Sequence, residues 1–196
     1  MILRNTTPFS RHLWLAMLVL LSVLETGLAQ NPGVIAGPIA NPANGHQYYL
    51  LEPASWTKAE AAAVILGGNL VTINDAQENS WVYETFAVFG GVNRDLWLGL
   101  YNSNPPSNSS NVWVWLDQFE WVSGQSSGFR LWASGELTTN APVRSGFSKL
   151  CGPDAGAAWK GLWAEEAQST SLSGVVEVSG TLEILAQPQS TSVPIG

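Results

Sequence analysis

A chain of 196 residues, 45% hydrophobic and 12% charged, is long enough to bury the core of one domain. Its formal net charge of −7 argues against nucleic acid and anionic membrane surfaces as partners, because both demand basic patches. A single cysteine, Cys151, excludes any intrachain disulfide, so the fold must rest on its core, to which a high tryptophan content can contribute.

The first segment reads as an address. Arg4, Arg11 and His12 lead into the apolar run Leu13 to Leu24, and Gly27-Leu28-Ala29 supplies the small residues that a signal peptidase reads. The apolar core is too short to span a bilayer, so residues 1–29 are expected to be a secretory signal peptide cleaved before Gln30. No later segment is long and apolar enough to span. The expected location is secreted and extracellular, or periplasmic in a bacterial host. Cleavage would remove Arg4, Arg11 and Glu25, leaving six basic against fourteen acidic residues. The mature chain, at −8, keeps nine tryptophans.

Residues 30–43, rich in Pro, Gly and Asn, read as an extended leader. Tyr48-Tyr49-Leu50-Leu51 is a predicted first strand. A helix follows Pro53 through Ala59 to Leu66, with Thr57 and Glu60 at capping-box spacing, and stops at Gly67-Gly68. Its alanines suit close packing. Asn69 to Ile73 is a short strand. Asp75 and Glu78, again at box spacing, open a second helix whose Val82, Phe86 and Phe89 share one face. Leu96 to Leu100 then forms a nearly continuous apolar run, read as a strand buried on both faces, and Gly99 inside it signals a close neighbour.

Residues 102–111 are loop, with a glycosylation sequon at Asn108-Ser109-Ser110. Val112 to Leu116 and Phe119 to Val122 read as two strands, joined as a hairpin around Asp117-Gln118. Trp113 and Trp115 read as cover for that insertion. Loop continues to Thr139. Predicted strands at Ser148 to Cys151, Lys160 to Trp163 and Val175 to Val178 close the domain, and the last part of the 180–196 tail is expected to be disordered. Cys151 reads as a buried apolar filler.

Taken in order, these elements resemble the C-type lectin-like domain family. The residues that carry the resemblance are Tyr48-Tyr49-Leu50-Leu51, Ser55 to Ala61, Leu70 to Ile73, Asn74 to Asn79 and the "WIGL"-like Trp97-Leu98-Gly99-Leu100. Phe119 to Gly124, Leu131 to Glu136, Gly161-Leu162-Trp163 and Gly174 to Val178 complete the series. The resemblance spans residues 44–179 and implies an α+β fold: two helices, small antiparallel sheets, a long irregular loop region, and chain ends that meet in one sheet. The family's disulfide cysteines are absent, as in its disulfide-free bacterial secreted forms.

The resemblance also implies a function: carbohydrate recognition through Ca²⁺, held by an "EPN" and a "WND" motif. Calcium requires six to eight hard oxygens. Here Glu136-Leu137-Thr138 and Trp163-Ala164-Glu165 stand at those motifs, so Glu136 and Glu165 remain as metal ligands of a degenerate calcium site. Ala164 supplies no side-chain ligand, while Glu166 and Asp154 are further oxygens within reach in sequence. The expected ligand-binding residues are Glu136, Thr138, Trp159 and Glu165, with Trp159 available to stack on a sugar face. Trp132 is read as core, as are Trp56, Trp81, Trp97, Trp121 and Trp163.

Two other readings stay open. The same fold serves as a calcium-independent protein–protein module, with an extracellular protein instead of a glycan as partner. A Glu136–Glu165 carboxylate pair would suit glycoside hydrolysis. Nucleophilic catalysis would have to use His46, which has no motif around it, and no phosphate loop, zinc spacing or dinucleotide fingerprint occurs. The expectation is a recognition module, not an enzyme, with no cofactor besides calcium.

Overall fold

The structure, a computed structural model, describes residues 31–103, 118–134 and 146–180. The signal-peptide segment, the strand at 112–116, the sequon, Glu136, Thr138 and most of the C-terminal tail lie outside the described residues.

The elements are β1 (Val34–Ala40), β2 (Gln47–Leu51), α1 (Trp56–Ile65), β3 (Asn69–Leu70), α2 (Ala76–Phe86), β4 (Leu96–Tyr101), β5 (Glu120–Trp121), β6 (Phe147–Leu150), β7 (Trp163–Glu166) and β8 (Ser173–Val178). The main sheet runs β1-β2-β8-β4-β6-β7, with β3 alongside β8 and β5 alongside β4. All pairs are antiparallel except β4 with β8, which is parallel. Two helices on this mixed sheet make the α+β class that the sequence implied.

One strand organises the rest. On one edge β8 pairs with β2, Gln47 opposite Val178 and Leu50 opposite Val175. Its other edge forks: Ser173 and Gly174 lie beside β4, whereas Val176 and Glu177 lie beside β3. The chain at Leu70-Val71 wedges into that fork, with the Val71 N–H donating to Val175 O and the Gly99 N–H donating to Val71 O. A Cβ on Gly99 would stand 2.3 Å from Leu70 O, so the close neighbour that this glycine signals is a backbone carbonyl.

The sheet's two faces feed two apolar clusters. Leu96, Leu98 and Leu100 pack with Val82 and Phe86 of α2, Trp121, Trp163 and Val175. Trp97 and Val176 pack on the other side with Trp56, Ala59, Ala62 and Ala63 of α1. This alternation explains why β4 reads as a continuous apolar run: both of its faces are covered. Burying eleven large side chains at ~1.5–3 kcal/mol each supplies the driving force that disulfides provide in small disulfide-bonded domains. Cys151 is itself buried.

Several local expectations change. Val34–Ala40, inside the stretch read as leader, is a strand paired with β2 through two register shifts. The Thr57–Glu60 box does not form. Ser55 caps α1 without a side-chain bond, and Glu60 instead accepts from the Leu70 N–H and Asn69 Nδ2, both at 2.8 Å. A strand-edge N–H that would otherwise be left unsatisfied outcompetes the helix end. At α2 the box is half kept: Asp75 accepts from the Glu78 N–H, but Glu78 answers to the N–H of Asn74, one residue further back. β3 covers only Asn69–Leu70 of the predicted Asn69–Ile73. Phe119 to Val122 yields the two-residue β5, paired with β4, and the hairpin partner expected at 112–116 lies outside the described residues. Lys160 to Leu162 is turn, with Gly161 at φ +78°, and the strand starts at Trp163 and runs to Glu166.

Candidate functional site

Of the candidate residues, Glu165 lies on β7 and Trp159 on the turn before it, whereas Glu136 and Thr138 lie outside the described residues. Strand β7 pairs with β6 in the register Phe147–Glu166, Ser148–Glu165, Lys149–Ala164 and Leu150–Trp163. Its free edge is met at Trp132, where Ala133 N–H donates to Trp163 O and Trp163 N–H to Leu131 O. Side chains alternate along a strand, so Trp163 and Glu165 share one face while Ala164 and Glu166 share the other.

Trp163 is fully buried, and its Nε1 donates to Asn79 Oδ1 at 2.7 Å. Trp121, Phe129 and Trp132 each meet it edge-on, at centroid distances of 5.8, 5.6 and 6.0 Å. Trp132 also meets Phe119 and packs against the core, as its sequence position implied. Trp159 differs. It is half-buried in the 156–162 turn, between exposed Ala158 and Lys160, with its N–H donating to Gly156 O. Trp159, the tryptophan read as a candidate ligand contact, is thus placed on a turn.

On the opposite face of β7 the charges are already committed. Lys149 Nζ lies 2.9 Å from Asp95 Oδ2 and 2.8 Å from Glu166 Oε2. Glu166 also accepts from Thr170 Oγ1 and from the Ala167 N–H. Burial pushes the Glu166 carboxyl up, but these bonds and the lysine charge outweigh it and hold it below the usual carboxylate range. Burial likewise opposes the Lys149 charge, yet its two carboxylate partners raise its pKa.

This arrangement tests the calcium site that the resemblance implies. Its Glu136–Thr138 half lies outside the described residues. The 163–166 half does not fit a calcium ion well. Ala164 is buried and offers no ligand, Glu165 sits half-buried opposite Ser148, and Glu166 points to the other face and is paired with Lys149. Asp154 accepts from Asn93 Nδ2 at 2.7 Å. Glu165, Glu166 and Asp154 therefore do not gather around a common point. Among the described residues no group of three or more His, Cys, Asp or Glu side chains is placed to hold a metal ion.

A second ionisable cluster escapes sequence reasoning. Tyr48 OH donates to Glu78 Oε1 at 2.5 Å, and Asn44 Nδ2 donates to both Tyr48 OH and Glu78 Oε1. His46 Nδ1 lies 2.6 Å from Glu177 Oε1, while Glu177 Oε2 accepts from the Thr72 N–H at 3.1 Å. Both carboxylates are buried, at 4% and 5% exposure. Burial raises the Glu177 pKa more than the His46 and Thr72 bonds lower it, and the Glu78 charge adds to the rise. Tyr48 is raised far above an ordinary phenol by burial, by its bond to Glu78 and by the Glu177 charge. The available sequence signals were Glu78 at box spacing and Glu177 in the closing motif; neither reveals that the two share a tyrosine.

The comparisons agree with the architecture. No protein-family model matches the chain. Over 88 residues it is 26% identical to the galactose-specific lectin nattectin of Thalassophryne nattereri, a stretch that covers 45% of this chain and 49% of that one. The chain thus spans about half the length of the curated relative it matches. It superposes on the C-type lectin CEL-I of Cucumaria echinata with a TM-score of 0.53 at 18% identity, covering 74% of this chain and 93% of that one. A calcium-independent type II antifreeze protein gives 0.53 at 14% identity, covering 76% and 97%. The domain has the C-type lectin-like fold.

Proposed function

We propose that the chain is a secreted, non-enzymatic carbohydrate-recognition module in which binding does not depend on a complete calcium site. The observation that carries the reading is its similarity to a galactose-specific lectin, matched by a fold shared with a C-type lectin. The calcium part rests on the 163–166 stretch, where Ala164 supplies no side-chain ligand and Glu166 is paired with Lys149. The partner is a glycan, met in an extracellular setting. A glycan array probed with the mature protein, once with calcium and once with chelator, tests this directly. Equal binding in both arms is expected. Binding seen only with calcium and lost in Glu136→Ala would overturn the calcium-free reading, and an array without hits would overturn the carbohydrate reading.

A calcium-independent protein–protein module is the second reading, favoured by the fold shared with a calcium-independent antifreeze protein. A protein captured by the mature domain beside an empty glycan array would establish it. Turnover of a glycoside that disappears in Glu165→Gln would instead revive the hydrolase.

A further inference from the structure

We infer that the groove between Asn74 and the 124–128 loop is a binding site for the neutral hydroxyl groups of a saccharide. The inference rests on the carbohydrate reading above and names a place for it. The groove has a volume of about 590 Å³ and is lined by Asn74, Gly124, Gln125, Ser126, Ser127 and Gly128. That volume lies within the ~300–1,000 Å³ usual for small-molecule sites.

The lining selects the chemistry. In an acidic chain its described lining carries no ionised side chain, so a charged ligand finds no counter-ion among those residues. Among the described residues it has no aliphatic or aromatic wall, so an apolar ligand gains little. What it offers is neutral amide and hydroxyl groups, each able to donate and accept, which is what the hydroxyls of a sugar require. Asn74 Nδ2 donates to Gln125 Oε1 at 3.3 Å. That bond leaves Asn74 Oδ1 as an acceptor and Gln125 Nε2 as a donor for a ligand, with the exposed Ser126 hydroxyl beside them. Gly124 and Gly128 keep the mouth open, since a Cβ at either would meet nothing within 4 Å.

The groove is also held in shape before any ligand arrives. Below it, the Asn74 N–H is fixed by Glu78 Oε2 at 2.8 Å and the Thr72 N–H by Glu177 Oε2. Thr72 Oγ1 bonds Ser123 Oγ at 2.7 Å, Ser123 Oγ accepts from the Gln125 N–H, and Ser127 Oγ donates to Ile73 O at 2.9 Å. From the far side, Trp121 Nε1 and Arg130 Nη1 both donate to Ser127 O. The buried acid cluster thus acts as a clamp under a polar surface, and a ligand does not have to order the loop in order to bind. With no aromatic platform in the lining, a single ring binds weakly and several copies along a glycan would add avidity.

The test is an amide chemical-shift titration of the mature protein with methyl galactoside and methyl mannoside. Two groove variants are compared with wild type: Asn74→Ala with Gln125→Ala, and Gly128→Leu, which fills the mouth at a position without positive φ. A third, Trp159→Ala with Glu165→Ala, alters the residues singled out by the sequence. The expected result is shifts at residue 74 and residues 124–128, and an affinity at least tenfold weaker in both groove variants at unchanged melting temperature. If Gly128→Leu lowers the melting temperature, the double alanine variant decides. Binding unaltered in the groove variants but lost in the third would overturn this inference and leave the carbohydrate reading standing. No binding of either sugar, beside an empty glycan array, would overturn both.

Discussion

Two charge clusters in this domain each bring a pair of carboxylates together and behave in opposite ways. Around Lys149, two carboxylates share one cation at the rim of the sheet, where each side chain keeps 18–26% of its exposure. Around Tyr48, two carboxylates share a phenol, and His46 faces only one of them. The first arrangement holds Glu166 below its ordinary pKa and the second lifts Glu177 above it. Desolvation raises both acids; at the rim the Lys149, Thr170 and Ala167 bonds overcome it, whereas for the more deeply buried Glu177 the opposing bonds do not. A carboxylate at a strand end is therefore not interpretable from its residue type, only from its partners.

The largest effect expected is at the buried cluster. Glu78→Ala removes the carboxylate that accepts from Tyr48 OH, Asn44 Nδ2 and the Asn74 N–H, and should cost about 2–4 kcal/mol in urea unfolding, as loss of a buried acceptor does. A loss below about 1 kcal/mol would mean that water replaces the carboxylate and that the cluster is not a clamp. Lys149→Met comes next. It leaves Asp95 and Glu166 facing each other, but partial exposure and screening limit the expected loss to about 1 kcal/mol, smaller in high salt. A loss equal to that of Glu78→Ala would erase the distinction between the clusters.

The smallest effects are in pH dependence, and their signs oppose. Glu177 binds its proton more readily folded than unfolded, so its contribution to stability grows as pH falls through its raised folded pKa and is complete below the ordinary value of about 4.3. Glu166 is depressed, so its contribution is present above about 4.3 and is lost as pH falls through its folded pKa. Stability measured from neutral pH downward should therefore lose its gain above about 4.3 in Glu177→Gln and lose part of its acid decline in Glu166→Gln. Parallel curves for the two variants would contradict the assigned directions.

Much of the fold was legible because its signals are local. Leu96 to Leu100 announces a strand covered on both faces, and Gly99 announces the close approach that Leu70 O makes. Val82 and Phe86 fall on one helical face and are both fully buried. What could not be read depends on partners far away in the chain. Glu60 has the spacing of a cap, yet a backbone N–H on β3 takes it. Val34–Ala40 carries Gly37 and Pro38, which read as leader, but β2 supplies an edge on which the segment can pair with two shifts of register. Glu166 resembles a spare calcium oxygen until Lys149 is set opposite Ala164. The 124–128 loop has no periodicity at all, and its significance comes from Thr72 and Asn74, which lie on another segment.

The pairing of β1 has a mechanical consequence. β1 and β8 each run antiparallel to β2, so they point the same way, and Val34 lies near the level where β8 begins while Ala40 lies near the level where it ends. The chain joins the sheet at one end and leaves it at the other, about 20 Å away for strands of this length. Tension applied between these two points would slide β2 against both neighbours and load a row of backbone bonds at once. Peeling would break the same bonds one by one. A domain tethered through its flanking segments would then resist pulling along its strands, and that resistance would come from a segment whose composition reads as leader.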